Sequence, residues 1–330
     1  MDLSTNYLGF RLPHPIMPGA SPLAKEMDSV RRLEDSGVPM IVMHSLFEEQ
    51  ITGEALAMNT YADATAESFA EAMSFLPSPP EFTIGPDEYL TLVQRLKKTV
   101  AVPVVASLNG ATEGGWLSYA QLMEEAGADA LEMNVYELAS DLEESGSQVE
   151  ERIIRILGTV KENLSIPVAV KLSPYFSSMA HMAQRLQDAG ADGLILFNRF
   201  YQPDLDTENL EVVRSLRLSD SRELPLRLRW LAMLSGRIKA SLGASGGIHA
   251  AQDVIKAVMT GAHAVQMVSA LLRHGPERLA LVLAEVSAWL EEHEYESLEQ
   301  MQGSMNLIRC PDPKAFARAN YMHILQSWTV

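Results

Sequence analysis

The chain has 330 residues, 47% apolar and 21% charged, with a formal net charge of −17; this is ordinary for a globular enzyme with a large core, built as one barrel-sized domain or two smaller ones. The acidity opposes nucleic acid and anionic membrane surfaces as partners, so an anionic small molecule would have to be held by local donors. The single Cys310 excludes an intrachain disulfide framework, a cysteine metal cage and an iron–sulfur cluster, and no apolar run reaches membrane-spanning length, so a reducing cytoplasm is the expected location.

An internal echo organises the chain. EDSGVPMIVMHS, EEAGADALEMN, QDAGADGLILFN and VMTGAHAVQMVS each read as a helix end, a glycine stop and a short apolar strand ending in a polar residue. Between them come HPIMPGAS, AVPVVASLNG, SIPVAVKLSP and GRIKASLGASGG, three of which use proline to launch the strand. Alternating the two sets predicts an α/β protein with eight strands, the number in a single (β/α)8 TIM barrel. The strands are expected at Ile16–Gly19, Met40–Met43, Val104–Ser107, Ala130–Asn134, Val168–Leu172, Gly193–Phe197, Ala240–Ala244 and Ala264–Met267. They are apolar on both faces, as strands covered by helices should be. Amphipathic spacing predicts helices at Leu90–Thr99, Gly114–Glu125, Gln148–Asn163, Met179–Ala189, Ala250–Thr260 and Glu277–Glu292.

Two connections exceed plain barrel loops: His44 to Pro86 after strand 2, and Arg199 to Arg222 after strand 6. Both leave from C-terminal strand ends, so both are expected over the barrel mouth as lids or pocket walls. Residues 1–330 read as one barrel domain, with 297–330 an appended tail carrying a helix around Pro313–Gln326.

Barrel enzymes carry their chemistry at the C-terminal strand ends. Here those ends are Ser21, His44 with Ser45, Asn109, Asn134, Lys171, Asn198, Gly246 with Gly247, and Ser269. So many amide, hydroxyl and cationic groups suit a large ligand with several hydrogen-bonding edges, and Ser45 and Asn109 are expected among its contacts. Lys171 follows Val168-Ala169-Val170, which puts its ammonium at the top of the barrel interior; there it must meet an anion or lose its charge, unless it reaches solvent past the strand end. Asn134 and Asn198 flank it, able to donate to one ring system or simply to cap loops. Gly246-Gly247 lies where barrels hold phosphate, lets the backbone approach a ligand and leads into a helix N-terminus with unpaired amides; the plainer reading is a tight turn. The histidines are scattered without ligand spacing, so no metal is expected.

The ordered set of motifs resembles the dihydroorotate dehydrogenase family, FMN-binding barrels that oxidise dihydroorotate to orotate in pyrimidine biosynthesis. The resemblance runs from about residue 5 to about residue 290, through YLGFRLPHPIMPGAS, ALEMN, AVKLSPYF, ILFN and SGGIHAAQDVIKAVMTGAHAVQMVSAL. It implies that Ala20 and Ser21 lie along the flavin. Asn134, Lys171 and Asn198 would bond its polar ring edge, and Gly246, Gly247 and Ser269 would hold its phosphate. With no membrane-associating extension before this opening, the chain is expected in the soluble class 1 branch, whose members are homodimers or join an electron-transfer subunit.

The chain also departs from that pattern. The family's lysine after strand 2 is replaced by His44, and its strand-8 glycine by Val268. Where the family has Asn-Leu-Ser-Cys-Pro-Asn with cysteine or serine as base, this chain reads Asn134-Val135-Tyr136-Glu137-Leu138-Ala139. Glu137 could serve as the base if burial raised its pKa, or be a solvated acid continuous with Asp141, Glu143 and Glu144. His44 could meet the flavin or an acidic substrate, or cap a loop. Three functions follow: an FMN-dependent oxidoreductase acting on dihydroorotate or a related small molecule; a flavin-free lyase or isomerase using Lys171 on a phosphorylated substrate; and a non-catalytic flavin or electron-transfer protein.

Overall fold

A computed structural model describes residues 1–48, 86–110, 112–136, 139–199, 204–213, 216–310, 322 and 324–327. Eight parallel strands form the central sheet: β1 (Ile16–Pro18), β2 (Ile41–Phe47), β3 (Val104–Asn109), β4 (Ala130–Asn134), β5 (Val168–Leu172), β6 (Gly193–Leu196), β7 (Ser241–Ser245) and β8 (Ala264–Met267). Each pairs with its sequence neighbour, and β8 pairs back onto β1, so only the β1–β2 seam lacks a hydrogen-bonded ladder. The result is a nearly closed (β/α)8 barrel.

The helices that cover it are α1 (Met27–Asp35), α2 (Pro86–Thr99), α3 (Glu113–Glu125), α4 (Gly146–Asn163), α5 (Met179–Asp188), α6 (Leu224–Leu234), α7 (Ala251–Thr260) and α8 (Arg278–Glu292). Strands β4, β5 and β8 have the expected bounds. Helices α1 and α6 were not among those expected: α6 (LPLRLRWLAML) has apolar residues nearly all round, whereas α1 is a short amphipathic helix that buries Val30 and Leu33. β2 continues past Met43 to Phe47, with a register shift against β3 between Val42 and Ser45. His44 therefore sits inside an irregular strand, not at its end. After β8 the chain turns into a short helix, Ser269–His274.

The echo has a structural basis at the closed end of the barrel. Asp129, just before β4, accepts the amide of Val104 in β3 at 2.7 Å. Asp192 before β6 accepts that of Val168 in β5 at 2.7 Å, and His263 before β8 that of Leu242 in β7 at 3.0 Å. Lys97 and Lys161 neutralise the two aspartates. Three of the four repeats thus pin the start of the preceding strand; the first has Pro39 at the corresponding position.

Below this a hairpin (Thr5–Tyr7 with Phe10–Leu12) plugs the barrel, packing Tyr7, Leu8 and Leu12 on Met17, Val105, Ala130, Ala169 and Ala264. Because side chains alternate along a strand, residues two positions further on form the next inward layer. That layer is polar: Ser107, Glu132, Lys171 and Gln266, all buried. One layer higher lies the mouth.

Of the two long connections, 49–85 lies outside the described residues. The second contains an antiparallel hairpin, Asp204–Asp206 with Glu211–Val213. The expected tail helix falls almost wholly outside the described residues. Among the described residues no helix is long and apolar enough to cross a membrane.

Candidate functional site

Two adjoining cavities open at the mouth. The larger, about 520 Å³, is within the range of small-molecule sites. Ala20, Ser21, His44, Ser45, Asn109 and Asn134 line it, together with Lys171 and Asn198. The smaller, about 180 Å³, shares Ala20, Ser21, Lys171 and Asn198 with it and adds Gly246, Gly247 and Ser269. Every candidate site residue except Glu137 is thereby brought to one place. Glu137 lies outside the described residues.

The walls are cross-linked by side chains from β2, β3 and β4 and from the segment just after β6. The hydroxyls of Ser45 and Ser107 are 2.8 Å apart, Asn134 Nδ2 donates to Ser45 Oγ at 3.1 Å, and Asn198 Nδ2 donates to Asn134 Oδ1 at 2.6 Å. Lys171 does not reach solvent past its strand. Its ammonium donates to Glu132 Oε1 and to Gln266 Oε1, each at 3.1 Å, and Gln266 Nε2 donates to Glu132 Oε2 at 2.7 Å. The anion it meets within the protein is Glu132.

His44 is buried in the wall, and among the described residues its Nδ1 has no hydrogen-bond partner. Its ring packs edge-on with Tyr89 at 5.1 Å between centroids. Burial, reinforced by the Lys25 ammonium, pushes its pKa down to about 4, so the imidazole is neutral near pH 7. Tyr89 is anchored in turn, accepting from Ser107 N at 2.9 Å and donating to Ser107 O at 3.2 Å.

At the other end the Gly246-Gly247 turn differs from expectation in one respect. Both residues have positive φ, +90° and +82°. Their missing Cβ atoms, however, face α6: one at Gly246 would lie 2.8 Å from Arg227 Nη2, and one at Gly247 2.6 Å from Leu224 N. The glycines are needed for close packing of the turn on α6. Arg227, also buried, fixes the turn from behind by donating to Ser245 O at 2.9 Å. The start of α7 is not a free anion site either, because Asp253 Oδ2 accepts the amides of His249 and Ala250, both at 3.0 Å. What stays free is the turn itself: among the described residues the amides of Gly246, Gly247 and Ile248 donate to no protein atom. Ser269 Oγ accepts from Ser219 N at 3.0 Å.

Sequence reading missed Glu132, Gln266, Ser107 and Arg227. Glu132 stands two residues before Asn134 and Gln266 two after Ala264, so alternation on the inward face was the available signal. Arg227 carries none in its own segment.

The dihydroorotate dehydrogenase family model matches residues 2–290. The chain belongs to the dihydroorotate dehydrogenase family. It is 27% identical over 307 residues to an Aeropyrum pernix protein provisionally named dihydroorotate dehydrogenase A (fumarate), covering 92% of this chain and 97% of the relative. It is 24% identical to the catalytic subunit of dihydroorotate dehydrogenase B (NAD(+)) of Thermoplasma acidophilum, covering 92% and 98%. A third relative, subunit PreA of the NAD-dependent dihydropyrimidine dehydrogenase of Escherichia coli K12, is 23% identical, covering 92% of this chain and 77% of that one. The chain is thus a dihydroorotate dehydrogenase-like oxidoreductase. Within such a barrel, Lys171 is engaged in a buried ion pair, whereas a Schiff-base lysine must present a free amine; the flavin-free lyase or isomerase reading is not favoured.

Proposed function

We propose that the chain is an FMN-dependent oxidoreductase exchanging a hydride between flavin N5 and a small substrate, dihydroorotate or a close relative of it. The observation that carries this reading is the pair of adjoining cavities with different donor sets at their two ends. Lys171 and the Ser45–Asn134–Asn198 amide chain face one, and the unpaired amides of Gly246 to Ile248 face the other. A ring edge rich in acceptors suits the first set, and a phosphate in a strongly acidic protein needs the second.

When bound, FMN supplies the electron chemistry, and the protein supplies position and electrostatics. On this reading Lys171 favours negative charge at the N1–O2 edge, while Asn134 and Asn198 orient that edge. Ala20 and Ser21 lie along the ring, with Ser45 and Asn109 completing its wall. Gly246, Gly247 and Ser269 hold the phosphate. His44, neutral and buried, offers the substrate an uncharged hydrogen-bonding group where the family resemblance implies a lysine. Oxidising a saturated carbon–carbon bond also requires that a proton leave the neighbouring carbon, and Glu137 is the residue at the position of the family's base.

The exposed apolar side chains of the hairpin after β6, Leu205, Leu210 and Val212, support a homodimer, and a partner protein or soluble oxidant would take the electrons onward. The direct experiment is the visible spectrum of the purified protein. A flavin spectrum, with FMN released on denaturation, is expected; a colourless protein that takes up no added FMN would sink the reading.

A further inference from the structure

The lysine facing the candidate flavin site is only half of a charge pair. Glu132 in β4, Lys171 in β5 and Gln266 in β8 form a closed ring of three hydrogen bonds, at 3.1, 3.1 and 2.7 Å, that spans the barrel interior. Both carboxylate oxygens are used, and Glu132 is 1% exposed and Lys171 5%. The three residues are not equivalent toward the mouth. Lys171 lines both cavities and Gln266 the smaller one, whereas Glu132 lines neither. The cation therefore stands in front and the anion directly behind it.

We propose that Glu132 is a positioning residue that tunes the reduction potential of this site, holding Lys171 in place while offsetting much of its positive charge. The inference rests on the reading of the mouth as an FMN site. Taking up two electrons and one proton leaves the flavin ring system one unit more negative. Lys171 favours that charge and Glu132 opposes it. Because both groups are removed from water, neither effect is damped as it would be at the surface. The field of Glu132 reaches across the barrel: Tyr7 and Tyr89, whose hydroxyls burial already pushes up in pKa, are pushed further by it. The consequence is a site less oxidising than a lone lysine would make it, and so better able to pass electrons on. Gln266 completes the device by holding both charged partners without adding a charge of its own.

A merely structural anchor would leave the potential unmoved, so the test is potentiometric. FMN-loaded full-length protein is titrated anaerobically with dithionite against a reference dye, for the wild type and for Glu132→Gln, Lys171→Met and the double variant. Glu132→Gln is expected to favour reduced over oxidised FMN by at least tenfold relative to wild type, a rise of about 30 mV for a two-electron couple. Lys171→Met is expected to shift it the other way, and the double variant to return close to wild type. Gln266→Glu, which adds a second carboxylate to the same ring, is expected to lower the potential and decides the matter independently if Glu132→Gln does not fold. An unchanged or lowered potential in Glu132→Gln, or an unchanged or raised one in Gln266→Glu, overturns the proposal while leaving the FMN site standing. A wild-type protein that binds no FMN overturns both.

Discussion

Replacing Gly247 by alanine puts a methyl group where the backbone of α6 already is. At φ +82° a non-glycine residue carries a left-handed strain of roughly 1–2 kcal/mol. The new Cβ would also lie 2.6 Å from Leu224 N, and no rotamer relieves a clash with a backbone atom at the start of a packed helix. Either the turn or α6 must shift, and forced repacking of that kind costs roughly 1–3 kcal/mol. Gly247→Ala should therefore lose about 2–5 kcal/mol. Gly246→Ala is the internal control. Its φ is +90°, but its Cβ meets a side-chain end, Arg227 Nη2 at 2.8 Å, and a small shift of the guanidinium that keeps its bond to Ser245 O relieves the contact where a backbone could not. Its loss should stay nearer the strain alone, roughly 1–2 kcal/mol. Urea unfolding without added flavin measures the difference. Because the turn carries the free amides of Gly246, Gly247 and Ile248, its displacement in Gly247→Ala should also weaken FMN more than riboflavin, which has the same ring but no phosphate. Equal stability of the two variants, or an unchanged FMN-to-riboflavin preference in Gly247→Ala, would refute the reasoning.

Lys171→Ala leaves Glu132 buried without its counter-charge, which costs roughly 3–5 kcal/mol in stability; loss of a charge-assisted bond to FMN, roughly 1.5–3 kcal/mol, should weaken its binding by about 10–100-fold. Both are measurable by denaturation and fluorescence titration, and a variant unchanged in both would show that Lys171 does neither job. His44 stays neutral in the fold down to about pH 4, while in the unfolded chain it takes a proton near 6.5. Stability should therefore fall as the pH drops from about 6.5 to about 4, by up to roughly 3 kcal/mol from this residue. His44→Gln should flatten the acid side of the stability profile, leaving the part due to His14, His249 and His263, whose pKa values burial also lowers; an identical profile would count against it. Dihydroorotate, mixed anaerobically with oxidised protein, should bleach the flavin slowly or not at all, since a positioned base typically supplies about 10²–10⁴-fold and the family's cysteine or serine is absent. Bleaching within a fraction of a second that Glu137→Gln abolishes would overturn this and make Glu137 the base.

What the sequence by itself determined is whatever the chain writes locally. Glycine stops, proline starts and short apolar runs mark β4, β5 and β8 to the residue, because backbone geometry and side-chain alternation act over a few positions. The same local logic located Lys171, Asn134, Asn198 and the Gly246-Gly247 turn at strand ends, and hence at one rim once eight strands were counted. It could not say which groups those residues would meet. Lys171 finds Glu132 39 residues before it and Gln266 95 after it, a meeting made only by pairing β4 with β5 and bringing β8 round the barrel. The turn needs glycine because α6 packs behind it, and nothing within Ser245 to Ile248 encodes that helix. His44 is left neutral by burial among Tyr89 and its neighbours, a property of the packed interior. Strand ends are set by local sterics, but charge state, hydrogen-bond partners and close packing are set by what the closed barrel brings within a few ångströms, and only the tertiary structure decides that.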